Sequence, residues 1–205
     1  MAHIPDGVLS IPVLAAGAVV AAGAVGLALR RLDETQIPRT AILAAVFFTT
    51  SLIAVPVGPS SIHLLLSGLM GLILGTLTFP AVLIGLLLQS TLFGFGGITT
   101  LGINTVNIAL PGVLLAAAVA PTIARATPPM AAVVAGITAA LAIAATGLLV
   151  SLSLALSSPD YVPTAKILIA TYLPLMLIEA LVTGFCIMFL KRVKPEMFGA
   201  VTGAT

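Results

Sequence analysis

The fold class this sequence predicts is all-α: a polytopic membrane protein of about seven transmembrane helices, its amino terminus extracytoplasmic and folded back into the bundle. Three observations carry that reading. The 205-residue chain is 60% hydrophobic and 7% charged, against about 25% charged residues in a soluble domain. Its apolar residues come in runs close to the ~20 residues that cross a bilayer. No run alternates as the strands of a transmembrane barrel do, and lipid offers no partner to unpaired backbone groups, so helices remain. Residues 1–205 read as a single transmembrane domain.

The spans follow in order. The first covers residues 10–29 and ends in Arg30-Arg31. A secretory signal places its positive charge before the apolar run; here it comes after, so the amino terminus is expected to be kept. The polar stretch "RRLDETQIPR" leads to the second span, residues 38–55. "PVGPSS" is a turn by its Pro and Gly content. The third span covers residues 62–76, and a short break at Thr78 and Pro80 leads to the fourth, residues 79–93. The loop "GFGGITTLGINTVN" precedes the fifth span, residues 106–124, which ends in Arg125 and "TPP". The sixth is long, residues 129–156. "SSPDYVPTAK" separates it from the seventh, residues 167–190, which ends in "KRVKPE". Spans three and four are short enough to be tilted or partly re-entrant.

Charge sets the orientation. With the amino terminus outside, Arg30, Arg31, Arg39, Arg125, Lys191, Arg192 and Lys194 lie on the inner side and Lys166 alone lies outside. Cytoplasmic segments carry the excess of Lys and Arg, so the inverted topology is rejected. The net charge of +2 belongs to these membrane edges and says nothing of nucleic acid. The one cysteine, Cys186, lies in an apolar run, where it reads as a small buried hydrophobe.

This topology brings the two histidines to the same extracytoplasmic side. His3 stands at the outer end of the first span and His63 at the outer start of the third. A free amine, the backbone nitrogens after it and a nearby imidazole close fused chelate rings around one metal ion. Square-planar nitrogen sites favour Cu(II) or Ni(II), and imidazole also suits Zn and Fe. An amide ligates only after losing its proton, so such a site is proton-dependent. Two variants arise. If Met1 stays, its amine, the amides of Ala2 and His3 and the His3 ring supply the nitrogens. If Met1 is removed, the Ala2 amine, the His3 amide and the His3 ring do so, and His63 completes the square. The second variant accounts for the second outer histidine. Pro5 restricts the backbone around it and Asp6-Gly7 reads as a turn, so the start of the chain is stiff enough to fold back. Without metal, the ordinary fate of such a chain end is to fray.

The stretches "HIPDGVL", "PVGPSSIHLLLSGLMGLILG", "FPAVLIGLLLQSTLFGFGGITTLGINT" and "PLMLIEALVTGFCIMFLKRVKPE" resemble the cobalt/nickel substrate-binding subunit of energy-coupling factor (ECF) transporters, the CbiM/NikM family. The resemblance spans most of the chain, in the right order. It implies a seven-helix substrate-binding (S) membrane subunit whose amino terminus tucks into the bundle to hold Co2+ or Ni2+ as transported substrate, not as cofactor. It implies a site built from the terminal amine, the amide and ring of the histidine after the first residue, and a histidine at the start of a later span. Those roles fall on His3 and His63. The family typically begins Met-His, whereas Ala2 intervenes here, so the amine is that of Met1 or of Ala2.

Other polar residues stand out against the apolar background. Glu179 lies about 12 residues from each end of the seventh span, near mid-membrane at about 1.5 Å per residue. An ionisable group there is costly and marks a functional-site hypothesis. It reads either as a protonated carboxyl hydrogen-bonded to a neighbouring helix, such as backbone freed by Pro174, or as a group with a proton-linked role or one supporting the metal site. Groups hydrogen-bonded to ligating histidines orient their rings; Asn104 is the first choice for that role, with Gln89 and Asn107 nearby. The Gly-rich loop before the fifth span reads as a lid or as an ordinary mobile loop, and Ser60 and Ser61 as caps of the third span. Ala41/Ala45 and Gly71/Gly75 recur at the spacing that lets helices approach closely. These pairs read first as packing within the chain; in the resembled family a small-residue face contacts the coupling subunit, for which Ala41/Ala45 is a candidate.

The chain is not expected to be an enzyme. It contains no G-x-x-x-x-G-K-[ST], so it lacks the phosphate-cradling lysine of an ATPase. By resemblance, ATP hydrolysis belongs to partners: a transmembrane coupling (T) subunit, ATPase subunits and sometimes a small accessory membrane subunit, in the cell inner (cytoplasmic) membrane. A self-sufficient channel or secondary carrier needs polar groups along a path, and Glu179 is the one acidic residue within the spans. An intramembrane enzyme needs convergent acids, bases or nucleophiles, which are nearly absent. Spacing does not separate Co2+ from Ni2+; the resemblance leans to Co2+, with an Ni2+-specific subunit as the alternative.

Overall fold

The computed structural model describes residues 3–53, 55–57 and 60–198. Along them run α1 (Ile11–Arg30), α2 (Ile37–Ser51), the hairpin strands β1 (Val55–Val57) and β2 (Ser60–Ile62), α3 (Ser67–Leu74), α4 (Thr78–Phe93), α5 (Leu101–Arg125), α6 (Pro128–Ser157) and α7 (Val162–Val193). The architecture is all-α apart from the antiparallel hairpin, which pairs Val55 with Ile62 and Val57 with Ser60. Ser60 and Ser61 therefore belong to a strand and do not cap the next helix. The β-branched, Pro-containing "VPV" favours extended backbone over helix.

Proline opens α1, α2, α6 and α7 within their first two positions, where a missing N–H costs nothing. Gly94, at φ 67°, closes α4 in the left-handed conformation, the usual helix stop. Asp33 and Gln36 form a reciprocal capping box in the α1–α2 connection.

Five stretches among the described residues are long and apolar enough to cross a membrane: Ile11–Arg30, Ser67–Phe93, Leu101–Arg125, Pro128–Ser157 and Tyr172–Val193. This differs from the seven spans read from the sequence for two reasons. α2 has 15 residues, short of the ~20 that a spanning helix needs. The expected third and fourth spans, α3 and α4, join through a 3-10 turn into one apolar stretch, with Gly75 at φ 57° where α3 ends. Gly75 thus turns the chain, while its expected partner Gly71 packs against the Gly112 carbonyl of α5, where any Cβ would overlap backbone. Gly136 and Gly184 likewise seat α6 and α7 on each other's carbonyls at Ala180 and Ala132. Small residues replace the hydrophobic effect as the means of bringing helices together in lipid.

Apolar side chains such as Val19, Leu92, Leu181 and Phe185 point outward, while Gln89, Asn104, Asn107 and Glu179 are buried. This is the pattern of a bundle solvated by lipid. Ala41 and Ala45 are both exposed on α2. The segment before α1 is not a free tail: Ile4 and Leu9 pack on Val150 and Leu154 of α6.

Candidate metal centre

Three side chains at the start of α5 bind the chain's first residues. Asn104 grips the Ile4 peptide groups at both ends: the Ile4 N–H donates to Asn104 Oδ1 at 3.1 Å, and Asn104 Nδ2 donates to the Ile4 carbonyl at 3.0 Å. The Thr100 hydroxyl donates to the same carbonyl at 2.7 Å. Asp6 accepts the N–H groups of Ile98 and Thr99 at 3.1 and 3.0 Å, and the Thr99 hydroxyl. The Thr99 hydroxyl foremost, with the Thr99 and Ile98 amides, holds the Asp6 carboxyl below its ordinary range. Pro5 supplies the fixed φ between these anchors, and Gly7, at φ 82°, supplies the turn into α1. The strap lies beneath the glycine loop: a Cβ at Gly96 would touch the His3 Cβ, and one at Gly97 would overlap the Asp6 carboxylate.

The strap delivers His3 onto His63. The two rings stack with centroids 4.8 Å apart and planes 10° from parallel, and both residues are buried, at 5% and 6% exposure. His63 Nδ1 lies 3.1 Å from the Leu64 carbonyl. A carbonyl only accepts, so the proton sits on Nδ1 and the lone pair on Nε2. His63 Nε2 and both His3 ring nitrogens are buried without a hydrogen-bond partner among the described residues. Such orphaned groups are rare and call for an explanation. Burial first, then His63 and the positive amino terminus, lowers the His3 pKa to about 3. Burial also lowers that of His63, against the opposing pull of the Leu64 carbonyl. At neutral pH the pair is therefore two uncharged imidazoles with lone pairs available, which is the form that ligates a metal.

Of the residues singled out in the sequence, His3 and His63 come together as expected. Met1 and Ala2 lie outside the described residues. Asn104 hydrogen-bonds the backbone of Ile4 and the Thr100 hydroxyl rather than an imidazole. Gln89 is fully buried, with neither amide atom hydrogen-bonded among the described residues, and Asn107 donates to Ser153 at 3.3 Å. Glu179 accepts the N–H groups of Leu65 and Leu66, not the backbone near Pro174. Among the described residues no group of three or more His, Cys, Asp or Glu side chains converges.

Sequence reasoning missed Asp6, Thr99 and Thr100 as anchors. Their signal was a hydroxyl pair just ahead of a helix, facing an Asp that had been read only as a turn former. It also missed Leu64 to Leu66, where nothing in an apolar run announces a bent backbone. Leu66, at φ 51°, is the one non-glycine residue with positive φ among those described.

Residues 3–197 match the family model CbiM, the cobalt uptake substrate-specific transmembrane region. A protein of Haemophilus influenzae named for metal transport is 36% identical over 200 residues, covering 95% of this chain and 96% of that protein. The fused nickel transport protein NikMN of Rhodobacter capsulatus is 37% identical over 126 residues, covering 57% of this chain and 35% of that larger protein. The crystal structure of a truncated transition metal transporter has the same fold, with a TM-score of 0.75 at 24% identity over 93% of this chain and 99% of that one.

Proposed function

Because this chain belongs to the CbiM family of cobalt uptake transmembrane regions, and is thereby a multi-pass membrane component of cobalt/nickel transport, we propose that it is the single-domain S subunit of an ATP-driven ECF importer. It captures the ion at its amino-terminal claw. The observation that carries this reading is the stacked, buried pair His3 and His63, whose free ring nitrogens have no hydrogen-bond partner among the described residues.

The preferred donor set is the Ala2 amine left by removal of Met1, the deprotonated His3 amide, the His3 ring and His63 Nε2; with Met1 retained, its amine, the Ala2 and His3 amides and the His3 ring would supply the four nitrogens. Of the His3 nitrogens, Nδ1 closes a six-membered chelate ring with its own amide, whereas Nε2 is too far round the ring. Asn104, through Ile4, holds the amide-bearing end of the strap in place. Co2+ is the proposed cargo. Its family name supports it, although an all-nitrogen square set ranks Ni2+ above Co2+ in affinity.

The site faces the extracytoplasmic side of the inner membrane, supported by the seven basic residues assigned to the opposite edge. Transport against a gradient depends on the T subunit and ATPase subunits, with an accessory membrane subunit in some assemblies. Supporting this, the chain carries no P-loop lysine of its own.

Titration of the purified protein with Co2+ and Ni2+, alongside its intact mass, tests the reading. His3→Ala and His63→Ala should each abolish tight binding while the helices stay folded, and the mass identifies the terminal amine. Unchanged affinity in both variants would refute the site. Uptake by this chain alone, in cells lacking the partner subunits, would favour a self-sufficient carrier.

A further inference from the structure

Glu179 sits in the middle of α7 with no solvent exposure, in a place where a carboxyl group is expensive. Its Oε1 accepts the N–H of Leu65 and, at 2.8 Å, the N–H of Leu66. The peptide group joining Leu64 to Leu65 is therefore held at both ends. Its N–H points to Glu179, and its carbonyl accepts His63 Nδ1–H at 3.1 Å. The opposite nitrogen of that ring, Nε2, has no hydrogen-bond partner among the described residues.

We propose that Glu179 is a positioning residue for the metal, acting on His63 through this single peptide group. The proposal rests on His63 being a ligand. Ligating histidines commonly give their second N–H to a carboxylate or a carbonyl, which fixes the ring and strengthens its donor nitrogen. Here the two devices are in series. The carboxylate draws on the amide proton, the polarised carbonyl draws on Nδ1–H, and the electron density of the ring shifts toward Nε2. Hydrogen bonds in a chain reinforce one another in this way at low dielectric. The same two N–H bonds hold Leu66 at φ 51°, a conformation that disfavours a non-glycine residue. They thereby set the angle at which the chain leaves His63 for α3.

A purely structural role, satisfying two amides before α3, would be served as well by a neutral carbonyl. Glu179→Gln supplies one with the same reach and no charge. The expected result is a folded protein whose Co2+ and Ni2+ affinities fall about 10- to 100-fold and whose bound-metal ligand-field band shifts. In a His63→Ala background the same substitution should change the residual affinity less than twofold. Wild-type affinity in Glu179→Gln would overturn the proposal, as would an equal loss in the His63→Ala background.

A measurement on the unaltered chain covers the case in which the variant does not fold. With only two histidines in the sequence, 15N-histidine labelling of the metal-free protein resolves both rings. The His63 proton should reside on Nδ1 and be strongly deshielded; a proton on Nε2 would overturn the relay. If wild-type protein binds neither metal, the binding reading fails, and the labelling experiment still decides the relay.

Discussion

Truncation of Asn104 is the sharpest test of how the strap is held. Asn104→Ala removes the Oδ1 that accepts the Ile4 N–H and the Nδ2 that donates to the Ile4 carbonyl. The carbonyl keeps the Thr100 hydroxyl; the N–H keeps nothing and stays buried beside a residue 3% exposed. One lost hydrogen bond costs about 0.5–1.5 kcal/mol, and a stranded buried donor about 1–3 kcal/mol. Docking of the strap should therefore weaken by about 2–4 kcal/mol, roughly 30- to 1,000-fold in its equilibrium. Metal binding at the proposed site requires the docked strap, and apparent affinity scales with the competent fraction. The loss in affinity is thus bounded by the loss in docking. Amide hydrogen exchange over residues 3–10 reads the first quantity and metal titration the second. Exchange should accelerate and affinity should fall by no more than the same factor. Asn104→Asp should not rescue, because it restores the acceptor but sets a second oxygen against the Ile4 carbonyl. A large affinity loss with unchanged exchange would refute the reasoning, because Asn104 would then act on the ligands directly.

Two further outcomes follow. In the metal-free protein the docked His3 has its pKa near 3 against an ordinary 6.5, so the released strap binds the proton first as pH falls. Docking is complete above about pH 6.5 and lost progressively toward pH 3; the protection factors of the strap amides, corrected for the pH dependence of intrinsic exchange, should be lower at pH 5.0 than at pH 7.5, and equal protection would contradict the burial of a neutral ring. Gly71→Ala places a methyl group on the Gly112 carbonyl, an overpacking that costs about 1–3 kcal/mol; the thermal midpoint in detergent should drop, and an unchanged value would mean that α3 and α5 separate freely.

The membrane class and both candidate imidazoles were legible in the sequence because they depend on local quantities. Apolar run length identifies helices that lipid must solvate, and the placement of arginine and lysine puts His3 and His63 at one end. The break at Gly75 and the strand pairing at Ser60 were less legible. An unbroken apolar stretch looks the same whether the chain inside it continues, turns or extends. Glu179 was recognised as out of place, since an acid among lipid-facing residues needs a partner, yet the pattern around it points to no particular one.

By itself the sequence determined the solvent of this chain, the approximate positions of its longer apolar helices and the presence of two imidazoles on a common side. Only the tertiary structure decided which atoms meet there. The Leu64 carbonyl selects the proton-bearing nitrogen of His63, Asn104 holds a peptide group 100 residues away, and Glu179 reaches one 114 residues away. Hydropathy fixes how deep a helix lies but not its rotation or its neighbours. Those are settled when backbones close on glycine contacts such as Gly71 against Gly112, and hydrogen bonds shorter than about 3.2 Å exist only for the one arrangement that results.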